Sequence, residues 1–131
     1  MAREFLNPSD LAPPPQSLYN HVVKVGNQVF ISGQVSRGLD GSTIHVGDAK
    51  AQARQVYANL ATAMASVGGS ITDIVKTTTY VVGAENLGPV REARLEALPE
   101  EGRPTSTTVL VAGLANPDLL VEVEVMAILS E

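Results

Sequence analysis

The chain has 131 residues, 44% of them apolar and 18% charged, with no cysteine and a formal net charge of −5. That size and balance fit one globular domain, residues 1–131, with enough core to need no metal or disulfide staples, and the missing cysteine removes disulfides, thiolate catalysis and cysteine metal sites. An acidic chain without a run of Lys or Arg lacks the electrostatic footprint of a nucleic-acid binder, and no apolar run approaches the roughly 20 residues of a membrane-spanning helix.

The first residues, MAREFLNPSDLAPPPQ, carry Arg3 without an apolar segment behind it, so they do not read as a secretory signal and the cytoplasm is the expected location. Pro8 and the triple Pro13, Pro14, Pro15 fix φ and remove donors, so residues 1–18 read as a Pro-rich extended arm, with ordered structure starting near Tyr19. HVVKV and QVFIS flank Gly26-Asn27, a two-residue turn signal between β-prone runs, and predict a tight hairpin. The second strand ends in SGQ, where Gly33 permits a bulge or a close backbone approach.

From Asp48, a suitable N-cap, the residues Ala53, Val56, Leu60, Met64 and Val67 recur at spacings of three and four and predict an amphipathic helix ending before Gly68. IVKTTTYVV predicts a strand over 74–82. A second helix over about 86–98 turns Leu87, Val90, Ala93 and Ala97 inward and leaves Arg91, Glu92, Arg94 and Glu96 mostly outward, until Pro99 and Gly102 stop it. STTVLVAG and LLVEVEVMAIL then predict two strands joined by a loop at Asn116-Pro117-Asp118. The order β-β-α-β-α-β-β is that of an α+β domain, a mostly antiparallel sheet with two helices on one face. Because the last strand runs apolar on both sides from Met126 to Leu129, its second face is expected to be covered, most simply by another subunit.

Among the polar residues, Glu122 and Glu124 share one strand face. They form either a solvated edge or, in a partly covered cleft, a general base. Ser106, Thr107 and Thr108 can orient a ligand but are equally ordinary strand residues without an adjacent base. Arg91 and Arg103 can each clamp a carboxylate or lie on the surface. Tyr19 is a lid or a core anchor. His21 and His45 have no metal-pair spacing and are assigned to structure or surface; no zinc, phosphate-loop or dinucleotide pattern occurs.

Taken together, Tyr19 with VKVGNQVFISGQV, then AQARQVYANLATAMASVGGSITDIVKTTTYVV, then RPTSTTVLVAGL with LLVEVEVMAI, resemble the Rid family (reactive intermediate deaminase, also called YjgF/YER) from the arm to Met126. The resemblance implies a chorismate-mutase-like α+β fold, assembled as a homotrimer with clefts for a small organic ligand at the subunit interfaces. It also implies cofactor-free hydrolysis of enamines and imines to keto acids and ammonia. Residue by residue, Tyr19 matches the family's cleft tyrosine and Ser32 and Gly33 match its SGQ segment. Glu122 matches the glutamate that positions the attacking water, and Thr108 stands where cysteine is frequent.

Two positions depart from the pattern. Imine-deaminating members place an arginine two residues after the proline, where this chain has Ser106, and Arg91 stands where asparagine is frequent. A serine cannot form a bidentate fork, and losing a charged partner weakens recognition by roughly 2–5 kcal/mol. Efficient hydrolysis of 2-imino acids is therefore not expected unless Arg91 or Arg103 supplies the charge. A non-catalytic ligand-binding protein on the same scaffold is the alternative; a ribonuclease or translation inhibitor is disfavoured by the acidic balance.

Overall fold

The computed structural model describes residues 1–130. Eight regular elements follow one another: strands β1 (Arg3–Leu6), β2 (Val22–Val25) and β3 (Gln28–Gln34), helix α1 (Ala49–Ser66), strand β4 (Ile74–Val82), helix α2 (Leu87–Ala97), and strands β5 (Thr105–Val111) and β6 (Val121–Ile128). They form a six-stranded sheet in the order β1-β2-β3-β6-β4-β5. Every pairing is antiparallel except β4 with β5, which α2 connects as a crossover. The expected α+β class holds.

The chain starts its ordered structure earlier than Tyr19. Arg3–Leu6 pair in antiparallel register with Val25–Val22, and Lys24 Nζ sits 3.2 Å from Glu4 Oε2 across that pair. The proline argument applies to residues 8–15 alone. REFL upstream keeps all its backbone donors and closes the free edge of β2.

The hairpin forms as its turn signal predicts, with Val25 opposite Gln28 and Gly26 at a φ of 61°. Helix α1 opens on Asp48, whose carboxylate accepts from Ala51 N at 3.0 Å. It closes with Gly68 at φ 76°, where Gly68 N donates to Ala65 O and Gly69 N to Met64 O, the paired bonds of a Schellman motif. Helix α2 ends where Leu98 turns extended, as the residue before Pro99 must.

The core lies between the helices and one sheet face. Val121, Val123, Val125 and Ala127 of β6 alternate into it with Val29 and Ile31 of β3 and Val81 of β4, against the α1 stripe Ala53, Val56, Leu60 and Met64. Truncating Leu60 or Met64 to Ala would cost about 2–5 kcal/mol each. Between the helices, Arg54 forms a two-point pair with Glu96 (2.9 and 2.9 Å), and Lys50 reaches Glu92 at 3.1 Å. The Arg54 guanidinium holds the Glu96 carboxyl down to about 2. On the opposite sheet face, Phe30 lies beside Met126 and is 43% exposed, while Ile128 is 42% exposed. In the single chain this apolar end is open, and no helix among the described residues is long and apolar enough to cross a membrane.

One core hydroxyl stands out. Tyr57 is buried on α1, its oxygen has no hydrogen-bond partner, and burial pushes its pKa up to about 12. An unpartnered buried hydroxyl weighs against folding. Tyr57→Phe should leave stability unchanged or raise it by up to about 1 kcal/mol in urea unfolding; a clear loss would mean that the hydroxyl has a partner.

Candidate functional site

The proline arm, after leaving β1, turns back over the end of β3. Buried His21 anchors it: Nε2 donates to Ala12 O at 2.6 Å and Nδ1 accepts from the Gln34 amide at 3.1 Å, so both ring nitrogens are occupied structurally. Ser32 Oγ donates to Asn20 O at 2.6 Å, tying the segment after Tyr19 to β3. Gln16 and Ser17 both take positive φ, 52° and 54°, a conformation that side chains disfavour, and they bend the chain just before Leu18 and Tyr19. Tyr19 is thereby left 39% exposed, on a cleft wall rather than in the core.

That cleft has a volume of about 780 Å³. Tyr19, Ser32, Gly33, Arg37, Leu119 and Glu122 line it, with prolines of the arm forming an apolar wall. Glu122 reaches it because the valines on either side of it point into the core, so its side chain must project from the open sheet face. The register breaks between Ile31 and Gln34 opposite this point, and Gly33 lets the Glu122 carboxylate lie directly over its backbone, in the space a Cβ would occupy. Burial lifts the Glu122 carboxyl above the usual carboxylate range, and the charge of Glu124 adds to the effect. Glu124 itself accepts a 2.7 Å hydrogen bond from Tyr80 Oη.

Gln52 of α1 holds the approach to β6. Fully buried, its amide donates to His45 O (3.2 Å) and Asp118 O (2.9 Å), while its oxygen accepts from Leu120 N (2.9 Å), two residues before Glu122.

The remaining expected site residues lie elsewhere. In the parallel register Ser106 pairs with Thr77 and Thr108 with Thr79, and both threonines are buried on the helix side. Ser106 and Thr108 therefore face α2, on the opposite sheet face from Glu122. Ser106 and Arg103 line a hollow of about 120 Å³, and Thr108 and Arg91 one of about 510 Å³. Arg94 lines both, and its Nη1 donates to Ser106 Oγ at 2.9 Å. A single chain thus brings together Tyr19, Ser32, Gly33 and Glu122, and separately Arg91, Arg94, Arg103, Ser106 and Thr108.

The family model described as Endoribonuclease L-PSP matches residues 9–129. The chain belongs to the Rid/YjgF family. A RutC family protein of Pyrococcus abyssi is 32% identical over 127 residues, covering 97% of this chain and 98% of the relative. The 3-aminoacrylate deaminase RutC of Acinetobacter baylyi is also 32% identical over 127 residues, with 97% and 98% covered. The crystal structure of RidA from the Antarctic bacterium Psychrobacter superposes with a TM-score of 0.86 at 29% identity, covering 96% of this chain and 99% of that one.

Within this Rid scaffold, three participants escaped the sequence reading. Gln52 looked like any polar helix residue, and Arg37, whose Nη2 donates to Pro13 O at 3.1 Å, lay in an unassigned loop. Arg94 had a usable signal: neither it nor Arg91 has a carboxylate three or four residues away on the helix. Among the described residues no cluster of three or more His, Asp or Glu side chains could hold a metal.

The contact of Glu122 with Gly33 is directly testable. Gly33→Ala should displace the Glu122 carboxylate by rotation of its side chain, costing about 0.5–1.5 kcal/mol in an otherwise native chain and less in a Glu122→Ala background. Equal losses in both backgrounds, measured by denaturant unfolding, would place the collision elsewhere.

Proposed function

We propose that this Rid-family chain hydrolyses an enamine or imine of a small organic substrate, in a cleft completed by a neighbouring subunit of a homotrimer. The observation that carries the reading is the Glu122 carboxylate laid over Gly33 in the main cleft with its pKa raised by burial. The deaminase activity of the similar Acinetobacter protein supports the same class of chemistry. A carboxylate in that setting exchanges protons closer to neutral pH than an exposed one.

In the proposed reaction Glu122 takes a proton from a water molecule as the water oxygen bonds to the imine carbon. The proton then passes to the substrate nitrogen, giving a carbinolamine; its hydroxyl proton moves by way of Glu122 to the nitrogen as the carbon–nitrogen bond breaks, and a carbonyl compound and ammonia leave. An enamine first accepts a proton on carbon to become the imine. No electron leaves or enters, so the balance calls for no redox cofactor. Tyr19 forms the outer wall of the cleft, and Ser32 holds the segment that carries it.

Assembly is inferred from what one chain leaves unfinished. β5 is an edge strand with every side chain at least partly exposed, and the Phe30–Met126 end of the open face is uncovered. A heterologous contact repeated around a threefold axis would cover such surfaces and set the β5–α2 residues of one subunit against the Glu122 cleft of the next. The neutral hydroxyl at Ser106 favours a second reading, a binding protein without turnover. A ribonuclease is not supported, since one aromatic ring, Tyr19, lines the main cleft.

Glu122→Gln should lower ammonia release from freshly generated 2-iminopropionate by about 10²–10⁴-fold; an unchanged catalysed rate would remove Glu122 from the chemistry, and no release above background by the native protein would favour the binding reading. With its folded pKa raised, Glu122 favours the fold in its protonated form. That contribution is full below the ordinary carboxylate pKa and is lost as pH rises through the folded value. The glutamine variant should consequently be at least as stable as the native chain at neutral pH. The native rate should rise with pH through a midpoint above the ordinary glutamate range.

A further inference from the structure

Apolar side chains exposed one by one on a surface are ordinary, but three of this chain's gather at one place. Leu18 is 73% exposed and Leu39 63%, and with the half-exposed Tyr19 they line the cleft that holds Glu122. Pro13 and Pro15 of the arm and buried Leu119, just ahead of β6, extend the same wall. The cleft is thus divided by segment. Strands β3 and β6 supply its polar groups, Ser32 and Glu122, while the loops supply its apolar ones.

Both leucines stand on hydrogen-bonded turns. Around Leu39, Gly38 N donates to Ser42 O at 2.8 Å and Gly41 N to Gly38 O at 2.9 Å. The Asp40 carboxylate accepts from Ser42 N (3.0 Å) and Ser42 Oγ (2.7 Å), and a bridge between Arg37 and Thr43 closes the base of the turn. Leu18 N donates to Pro15 O at 3.0 Å, next to the left-handed Gln16 and Ser17. Arg37 Nη2 joins the two loops through Pro13 O. A wall fixed in advance gives up little conformational freedom when a ligand covers it.

The volume of the cleft, about 780 Å³, lies among those of pockets that enclose drug-sized ligands. A three-carbon imine set beside Glu122 would leave most of the apolar wall against water, whereas a larger apolar group would remove that surface from water.

We infer that the wall formed by Leu18 and Leu39 is a specificity pocket for a large apolar substituent of the ligand, a branched alkyl or aromatic group. This rests on the proposed hydrolase cleft and gives its substrate a class defined by the side group on the imine carbon. Leu18 and Leu39 act by covering that group and take no part in proton transfer.

Binding separates this inference from catalysis. Pyruvate and 4-methyl-2-oxopentanoate share carbonyl and carboxylate and differ only by an isobutyl group in place of methyl, so the ratio of their affinities isolates the side group. Measured on the full-length protein by ligand-observed magnetic resonance, the larger acid should bind about 10–100-fold more tightly. Leu18→Ser and Leu39→Ser should each cut that preference by about threefold or more, and the double variant should nearly abolish it. Val46→Ser, at an exposed position outside the cleft, should keep it.

Equal binding of the two acids, no saturable binding of the larger one, or a preference that survives in the double variant would each overturn the inference. So would a smaller assembly in either leucine variant by native mass spectrometry, since the wall would then be a subunit contact. Leucine-dependent preference without ammonia release from the imine of 4-methyl-2-oxopentanoate would leave the pocket standing and remove the hydrolase reading instead.

Discussion

The position of one carboxylate depends on the placement of β6. This strand lies inside the sheet between β3 and β4, and its valines at 121, 123 and 125 are locked into the helix-side core, so Glu122 has no choice of face. A slip of one residue would bury Glu122 and Glu124 and expose the valines, at a cost of several kcal/mol in desolvated charge alone. Gln52 fixes the strand's entry and Gly33 clears the space above it. Core packing, a buried amide and one missing Cβ together put an otherwise ordinary strand glutamate against a cleft wall, where loss of water raises its affinity for a proton.

A second constraint divides the polar chemistry between the two sheet faces. Period-two alternation sends Glu122 to the open face, while the parallel pairing of β5 with β4 sends Ser106 and Thr108 to the helix face. Within one chain they lie apart, and the proposed assembly would bring them together across a subunit contact. The same alternation explains why β5, at the edge, presents hydroxyls to α2 and leaves Val109 40% exposed. The proposed repetition of one chain around a symmetry axis would account for both features, since a heterologous contact joins two different patches of identical subunits.

Much of this was legible in the sequence. The strand over 74–82, the capped helix from Asp48 and the Gly26-Asn27 hairpin follow from local chemistry: β-branched alternation, an N-cap with an apolar stripe, and a turn residue able to take positive φ. Tyr19, Ser32, Gly33 and Glu122 could be gathered into one cleft only through resemblance to the Rid pattern, because they come from three distant segments. The strand at Arg3–Leu6 was hidden because four residues carry too little pattern and prolines follow closely. Arg94 carried a signal in its lack of a helical carboxylate partner, but its contact was hidden: helical periodicity says which way a side chain leaves the helix, not that a serine twelve residues later will accept from it. Gln52 shows the same limit, since its partners lie near residues 45 and 118–120.

The central proposal is that Glu122 of one subunit and the α2–β5 face around Arg94 of its neighbour form one site. It is tested most directly by mixing two impaired proteins, Glu122→Gln and Arg94→Ala, under conditions that let subunits exchange, and following ammonia release from 2-iminopropionate. In a heterologous ring, equal mixing rebuilds about one site in four with both residues intact, and activity should rise well above that of either parent. Activity that stays at the average of the parents, with exchange confirmed by native mass spectrometry, would contradict a site shared between chains.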